Sequence, residues 1–197
     1  MPQATFYFDL GSPFAYLTAE RLEEHLPEPI AWQPVLLGGL FKLNRRSSWA
    51  LGDADRRKAG MTDVERRARA QGLPSLRWPD PWPTDYLFAM RVATFAFRSG
   101  HGREFTMRAF RAAFQEGRDL SVPEHVLAAA AAAGIDPHTA GEAADDPVVK
   151  AALRDATDAA HERGVFGVPT VAIGEELFWG DDRLRDAAVH RARSGVE

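Results

Sequence analysis

The 197-residue chain contains no cysteine. Thiol-disulfide exchange needs a thiolate on the protein, so a disulfide oxidoreductase working through its own sulfur is excluded. Any thiol chemistry here must use a thiol brought from outside. The six histidines, His25, His101, His125, His138, His161 and His190, are scattered along the chain. They make no metal-ligand spacing, and no metal is expected. Neither a phosphate-binding loop nor a glycine-rich dinucleotide fingerprint occurs, which leaves nucleotide cofactors without support. No apolar run approaches membrane-spanning length, and the first residues lack the basic region, apolar run and cleavage site of an export signal. The expectation is a cytoplasmic location with no membrane partner.

What the chain does contain is ordinary for a folded protein of about one domain. Its composition, 45% hydrophobic and 26% charged, argues against both disorder and membrane insertion. A net charge of -4 repels polyanions on average, so no nucleic-acid partner is expected. Positive charge is concentrated at Lys42, Arg45, Arg46, Arg56, Arg57 and Lys58, opposed locally only by Asp53 and Asp55. A solvated loop is the plain reading of that stretch. A carboxylate-binding loop is the sharper one, because the arginine fork grips a carboxylate bidentately.

The aromatic run Thr5-Phe6-Tyr7-Phe8-Asp9, bounded by Gly11 and Pro13, predicts a buried strand. Ser12 can cap a following helix, Pro13 suits its first position, and Phe14, Leu17, Leu22 and Leu26 form its apolar stripe until Pro27 and Pro29 stop it. A second strand is expected over residues 30 to 35. Helical patterns then take over, with candidates at about 62 to 71, 85 to 99, 102 to 116, 122 to 133 and 147 to 163. The proline-rich stretch from Leu73 to Asp85 predicts a rigid non-helical loop whose Trp78 and Trp82 could wall a cleft. Strands are expected again at Val171 to Ile173 and Leu177 to Trp179, and a last helix near Asp181. Two halves of one small mixed sheet are thus separated in sequence by helices.

Three places could carry chemistry. Ser12 is first of all a helix cap. The same position puts a hydroxyl donor beside unpaired backbone N–H groups, where an anion such as a thiolate is favoured and where hydrogen bonding lowers a thiol pKa. No general base for Ser12 is visible, so it reads as a donor, not a nucleophile. Val168-Pro169 enters the third strand. An X-Pro bond is trans by default, whereas a cis bond would leave the Val168 backbone groups free to pair with an extended peptide-like ligand. Asp181 and Asp182 make an acidic helix entrance, and a carboxylate beside backbone donors can also bind the ammonium of an amino-acid head group.

Strand, Asp9-x-x-Ser12-Pro13-Phe14-x-Tyr16-Leu17, helical block, Gly164-Val165-Phe166-Gly167-Val168-Pro169-Thr170 and Phe178-Trp179-Gly180-x-Asp182-Arg183 together resemble one family. The pattern is similar to the 2-hydroxychromene-2-carboxylate isomerases and kappa-class glutathione transferases of the DsbA-like thioredoxin superfamily, in which serine replaces the redox cysteine. The resemblance covers essentially the full chain. It implies an α/β, thioredoxin-like fold with a large all-helical insertion: residues 1–39 and 164–197 form a discontinuous thioredoxin-like domain, and 40–163 the helical one. By the same resemblance, Ser12 hydrogen-bonds the sulfur of glutathione or another low-molecular-weight thiol, and the Val168 backbone pairs with its cysteinyl part across a cis Pro169. Asp182 helps hold the γ-glutamyl group, and Asp181 occupies the neighbouring head-group position. Lys42, Asn44, Trp49 and Trp82 are assigned to a second, small-molecule substrate, and a homodimer is implied. The middle of the chain departs from the family: Arg56 and Ala59 stand where a Lys and a Tyr are usual, and Trp82-Pro83-Thr84-Asp85 where Phe-Pro is followed by Asn.

The expected function is a thiol-dependent cis-trans isomerase or transferase acting on aromatic or conjugated carbonyl compounds. The alternative is a non-catalytic module that binds an extended peptide or protein along the Val168 edge. Ligand size separates the two, since a closed pocket excludes a polypeptide.

Overall fold

Strands β1 (Ala4–Phe8), β2 (Ile30–Pro34), β3 (Thr170–Ile173) and β4 (Glu176–Trp179) form one sheet in the order β2-β1-β3-β4. The computed structural model describes residues 3–27 and 29–194. β1 runs parallel to β2 and antiparallel to β3, which in turn is antiparallel to β4. Phe6 therefore sits between Trp32 and Val171. Because side chains alternate along a strand, β1 serves two layers. Ala4, Phe6 and Phe8 face the main core, while Tyr7 joins Val35, Leu40, Val165, Val168 and Ala172 on the opposite side. The aromatic strand read from the sequence is thus buried on both faces.

Ten helices surround the sheet among the described residues: α1 (Pro13–Ala19), α2 (Leu22–His25), α3 (Leu37–Leu43), α4 (Ala54–Ala70), α5 (Leu87–Arg98), α6 (Gly102–Phe114), α7 (Pro123–Ala132), α8 (Pro137–Asp145), α9 (Pro147–Glu162) and α10 (Leu184–Ser194). The single helix expected from Pro13 to Pro27 is two, broken at Glu20 and Arg21. Glu20 there receives a two-pronged grip from Arg111 of α6, at 2.8 and 2.9 Å. The helix expected from residue 62 starts at Ala54, because Asp53 caps it by accepting from the Arg56 N–H at 2.8 Å. Arg56, Arg57 and Lys58 consequently lie on a helix and not in a loop. Helices α3 and α8 are additions to the sequence reading.

The helices between residues 40 and 163 share the sheet's core. Phe8 meets Phe97 of α5 and Phe110 of α6, each with ring centroids 6.0 Å apart. Each fully buried phenylalanine contributes roughly 1.5–3 kcal/mol through removal from water, so this aromatic contact fixes the helical block against the strands. α9 lies on the other side, where Thr157 accepts from the Leu36 N–H at 3.0 Å. The expected non-helical loop is present: residues 71–86 hold no helix or strand, and the Asp80-Pro81 and Trp82-Pro83 bonds in it are cis. No helix of the described residues is long and apolar enough to cross a membrane.

Candidate functional site

The C-terminal end of β1 and the N-terminal end of β3 carry the two loops that frame the site. Asp9 organises the first. Its Oδ1 accepts from the Gly11 N–H at 2.8 Å, its carbonyl from the Ser12 N–H at 3.0 Å, and its Oδ2 from the Leu37 N–H at 2.7 Å. One buried carboxylate thereby ties the β1–α1 loop to the start of α3. Burial pushes its pKa up to about 6, against the opposing pull of the two backbone N–H donors. Asp9 was not among the residues singled out from the sequence. The signal that could have found it is a lone acid at the end of an otherwise apolar strand.

Ser12 sits at the N-cap of α1, where its Oγ accepts from the Ala15 N–H at 3.2 Å. Its hydroxyl points to the Val168 carbonyl at 3.5 Å, a long contact. The Val168-Pro169 bond is cis, which corrects the trans default that the residues alone predict. Thr170 holds that loop by donating its hydroxyl to the Gly167 carbonyl at 2.7 Å, and the Gly180 N–H donates to the Pro169 carbonyl at 3.0 Å. The Val168 N–H finds no acceptor among the described residues.

Ser12 and Val168 open onto a cavity of about 520 Å³. Pro13 and Phe14 form one wall, Leu36, Leu37 and Phe41 a second, and Trp49 with Trp82 and Tyr86 a third. The Trp49 and Trp82 rings lie 5.4 Å apart and the Phe14 and Trp49 rings 6.1 Å apart. Tyr86 packs so closely over the loop that a Cβ at Gly11 would come within 2.6 Å of its ring; burial pushes the Tyr86 phenol well above its usual range.

The residues singled out from sequence divide into two groups. Ser12, Val168, Trp49 and Trp82 line the cavity, whereas Pro169, next in the chain after Val168, does not. Lys42, Asn44, Asp181 and Asp182 do not line it. Lys42 is exposed on α3, and the Asn44 amide is occupied by the Leu40 carbonyl at 2.8 Å and by His161 Nδ1 at 3.3 Å. Asp181 is 2% exposed and bound by Arg67 Nη1 at 2.8 Å and Gln71 Nε2 at 3.1 Å. Burial pushes its pKa up while Arg67 pulls it down. Asp182 is open to solvent, with only a 3.9 Å approach from Arg67. Trp78, expected beside Trp82 in the wall, instead donates to Glu65 Oε1 at 2.7 Å and supports Trp82 from behind.

A family model for the DSBA-like thioredoxin domain matches residues 3–190. The 2-hydroxychromene-2-carboxylate isomerase of Sphingobium xenophagum is 28% identical over 190 residues, which cover 91% of this chain and 92% of that protein. The protein of the same name from Pseudomonas putida is 26% identical over 191 residues, covering 91% and 89%. A solved structure of a 2-hydroxychromene-2-carboxylate isomerase matches with a TM-score of 0.82 at 24% identity, covering 98% of this chain and 95% of that one. That likeness is one of fold, and it agrees with the thioredoxin-like sheet and helical insertion read from the sequence.

Proposed function

The chain belongs to the DsbA-like thioredoxin family, and we propose that it is an isomerase or transferase of conjugated aromatic carbonyl compounds that works with glutathione or a related low-molecular-weight thiol. The observation that carries this reading is the state of Ser12. Its oxygen is engaged by the Ala15 N–H, while its proton has only the 3.5 Å contact to Val168. The hydroxyl therefore has a donor to give at the edge of an apolar cavity. The names of two relatives that cover about nine-tenths of the chain support the isomerase class.

The residues fit a small peptide-like thiol. Ser12 would donate to the sulfur and favour its charged form, lowering the thiol pKa. The open Val168 N–H would pair with a backbone carbonyl of the same molecule, in the manner of an added strand. A thiol bound there would supply a nucleophilic sulfur for reversible addition to a conjugated double bond, the chemistry a cis-trans isomerisation needs. Phe14, Trp49 and Trp82 offer ring faces that hold a planar substrate against Ser12. No histidine lines the cavity among the described residues, and neither lining carboxylate hydrogen-bonds the Ser12 hydroxyl, so Ser12 is assigned as a donor.

Calorimetric titration of reduced glutathione into wild type and Ser12→Ala, with the ultraviolet thiolate band recorded alongside, tests this reading. Binding with a thiolate band that weakens in the variant is expected. Absence of binding, together with capture of an extended peptide at the Val168 edge, would favour a non-catalytic binding module.

A further inference from the structure

The cavity beside Ser12 has a charge character that its relatives' name does not suggest. Among the described residues, its lining contains no lysine, arginine or histidine, and it contains two carboxylates, Asp9 and Asp85. Two nearby cations, Arg67 and Arg57, are turned to other partners. Arg67 lies over the Phe14 ring at 5.4 Å, but its guanidinium is held by Asp63 and Asp181, each at 2.8 Å. Arg57 donates to the Ala50 carbonyl at 2.8 Å and the Gly52 carbonyl at 3.2 Å. Lys42 is exposed and outside the lining.

A carboxylate entering this space would leave water without gaining a cation, which is costly in an apolar setting, and would approach two groups of its own sign. A thiolate held at Ser12 would add a third negative charge. We infer that the second substrate carries no negative charge: it is an uncharged planar aromatic enone and not an aromatic carboxylate of the kind for which the relatives are named. This rests on the reading that the substrate occupies the cavity beside Ser12. Asp85, whose Oδ1 accepts from the Leu87 N–H at 2.9 Å, is then the specificity residue that rejects anions, while Asp9, with both oxygens engaged by the Gly11 and Leu37 N–H groups, adds a fixed negative charge behind it.

Equilibrium binding separates this inference from catalysis. Calorimetry at pH 7.5 would compare two unreactive probes of one shape, 4-phenylbutan-2-one and 2-oxo-4-phenylbutanoate, on the wild type and on Asp85→Asn. The neutral ketone is expected to bind at least tenfold more tightly, and the gap to narrow severalfold in Asp85→Asn, which keeps an acceptor for Leu87. Equal or tighter binding of the carboxylate overturns the inference, as does failure of the ketone to bind. An unchanged gap in the variant removes Asp85 from it. Turnover of cis-4-phenylbut-3-en-2-one with glutathione is read separately. A bound ketone without turnover would leave the substrate class standing and remove the isomerase reading.

Discussion

The Ser12 hydroxyl reaches the Val168 carbonyl at 3.5 Å across 156 residues of chain, while the same oxygen caps α1 through the Ala15 N–H. Capping and donation are thus two jobs of one atom, and substitution can separate them. Ser12→Ala should cost about 0.5–2 kcal/mol in stability, whereas glycine at an N-cap costs only a few tenths more than serine. Both variants remove the donor. Denaturant melts should therefore rank Ser12→Gly close to wild type and Ser12→Ala below it, while thiol-dependent turnover falls equally and sharply in both. Retained turnover in Ser12→Gly would detach the hydroxyl from the chemistry.

Asp9 should make stability fall as pH rises through the mildly acidic range. Its pKa is raised from an ordinary 3.8 to about 6 by burial, so between those values the folded protein binds more protons than the unfolded chain, and stability declines with pH. The contribution is fully present below about pH 4 and lost above about pH 6. At about 1.4 kcal/mol per pH unit, the span amounts to roughly 3 kcal/mol. In Asp9→Asn the slope of stability against pH over this window should flatten. Absolute stability falls too, because an amide can accept only one of the bonds from Gly11 and Leu37. An unchanged slope in chemical denaturation between pH 4 and 6.5 would show that Asp9 is not the group that titrates.

The loops at the site were legible because their signals are local: an aromatic strand, Ser12 before Pro13, and Val168-Pro169 ahead of a β-branched run. Trp82 in the proline-rich stretch was legible for the same reason. What escaped depends on partners far along the chain. Asp181 looks like a free helix-entrance acid until Arg67 of α4 and Gln71 just past its end, more than a hundred residues earlier, are brought to it. The first half of α4 was hidden because the helix buries only Val64 and Ala68, which make no apolar stripe. Gly38 and Gly39 masked α3. Helix α8 was announced only by Asp136 ahead of Pro137, a cap and first-turn pair with no strong stripe behind it.

The two adjacent acids should respond in opposite ways. Removing the carboxylate of Asp181 leaves Arg67 without its buried partner, and breaking a buried pair typically costs about 3–5 kcal/mol. Arg67 keeps Asp63 and is partly exposed, so Asp181→Ala should fall at the lower end of that range. Asp182→Ala, at an exposed side chain, should leave the melting temperature within about 2 °C of wild type, since surface changes stay within about 0.5 kcal/mol. If an amino-acid head group of the thiol docks here, its affinity drops in Asp182→Ala alone. Equal affinity in that variant and wild type would move the head group elsewhere.

Gly60, inside α4, makes room for Trp49. A Cβ there would overlap the six-membered ring of the Trp49 indole, which forms part of the cavity wall beside Trp82. Alanine ordinarily stabilises a helix interior by about 0.5–1 kcal/mol relative to glycine, but overpacking costs about 1–3 kcal/mol, and the second effect is the larger. Gly60→Ala should lower the melting temperature by about 2–4 °C, the shift that 1 kcal/mol produces in a chain of this size. It should also change tryptophan emission and weaken binding of the aromatic ketone. Gly38→Ala on α3 is the control, because a Cβ there meets no atom within 4 Å; its melting temperature should stay level or rise. A Gly60→Ala protein that melts at or above wild type, with unaltered emission, would mean that Trp49 swings aside freely and does not hold the wall.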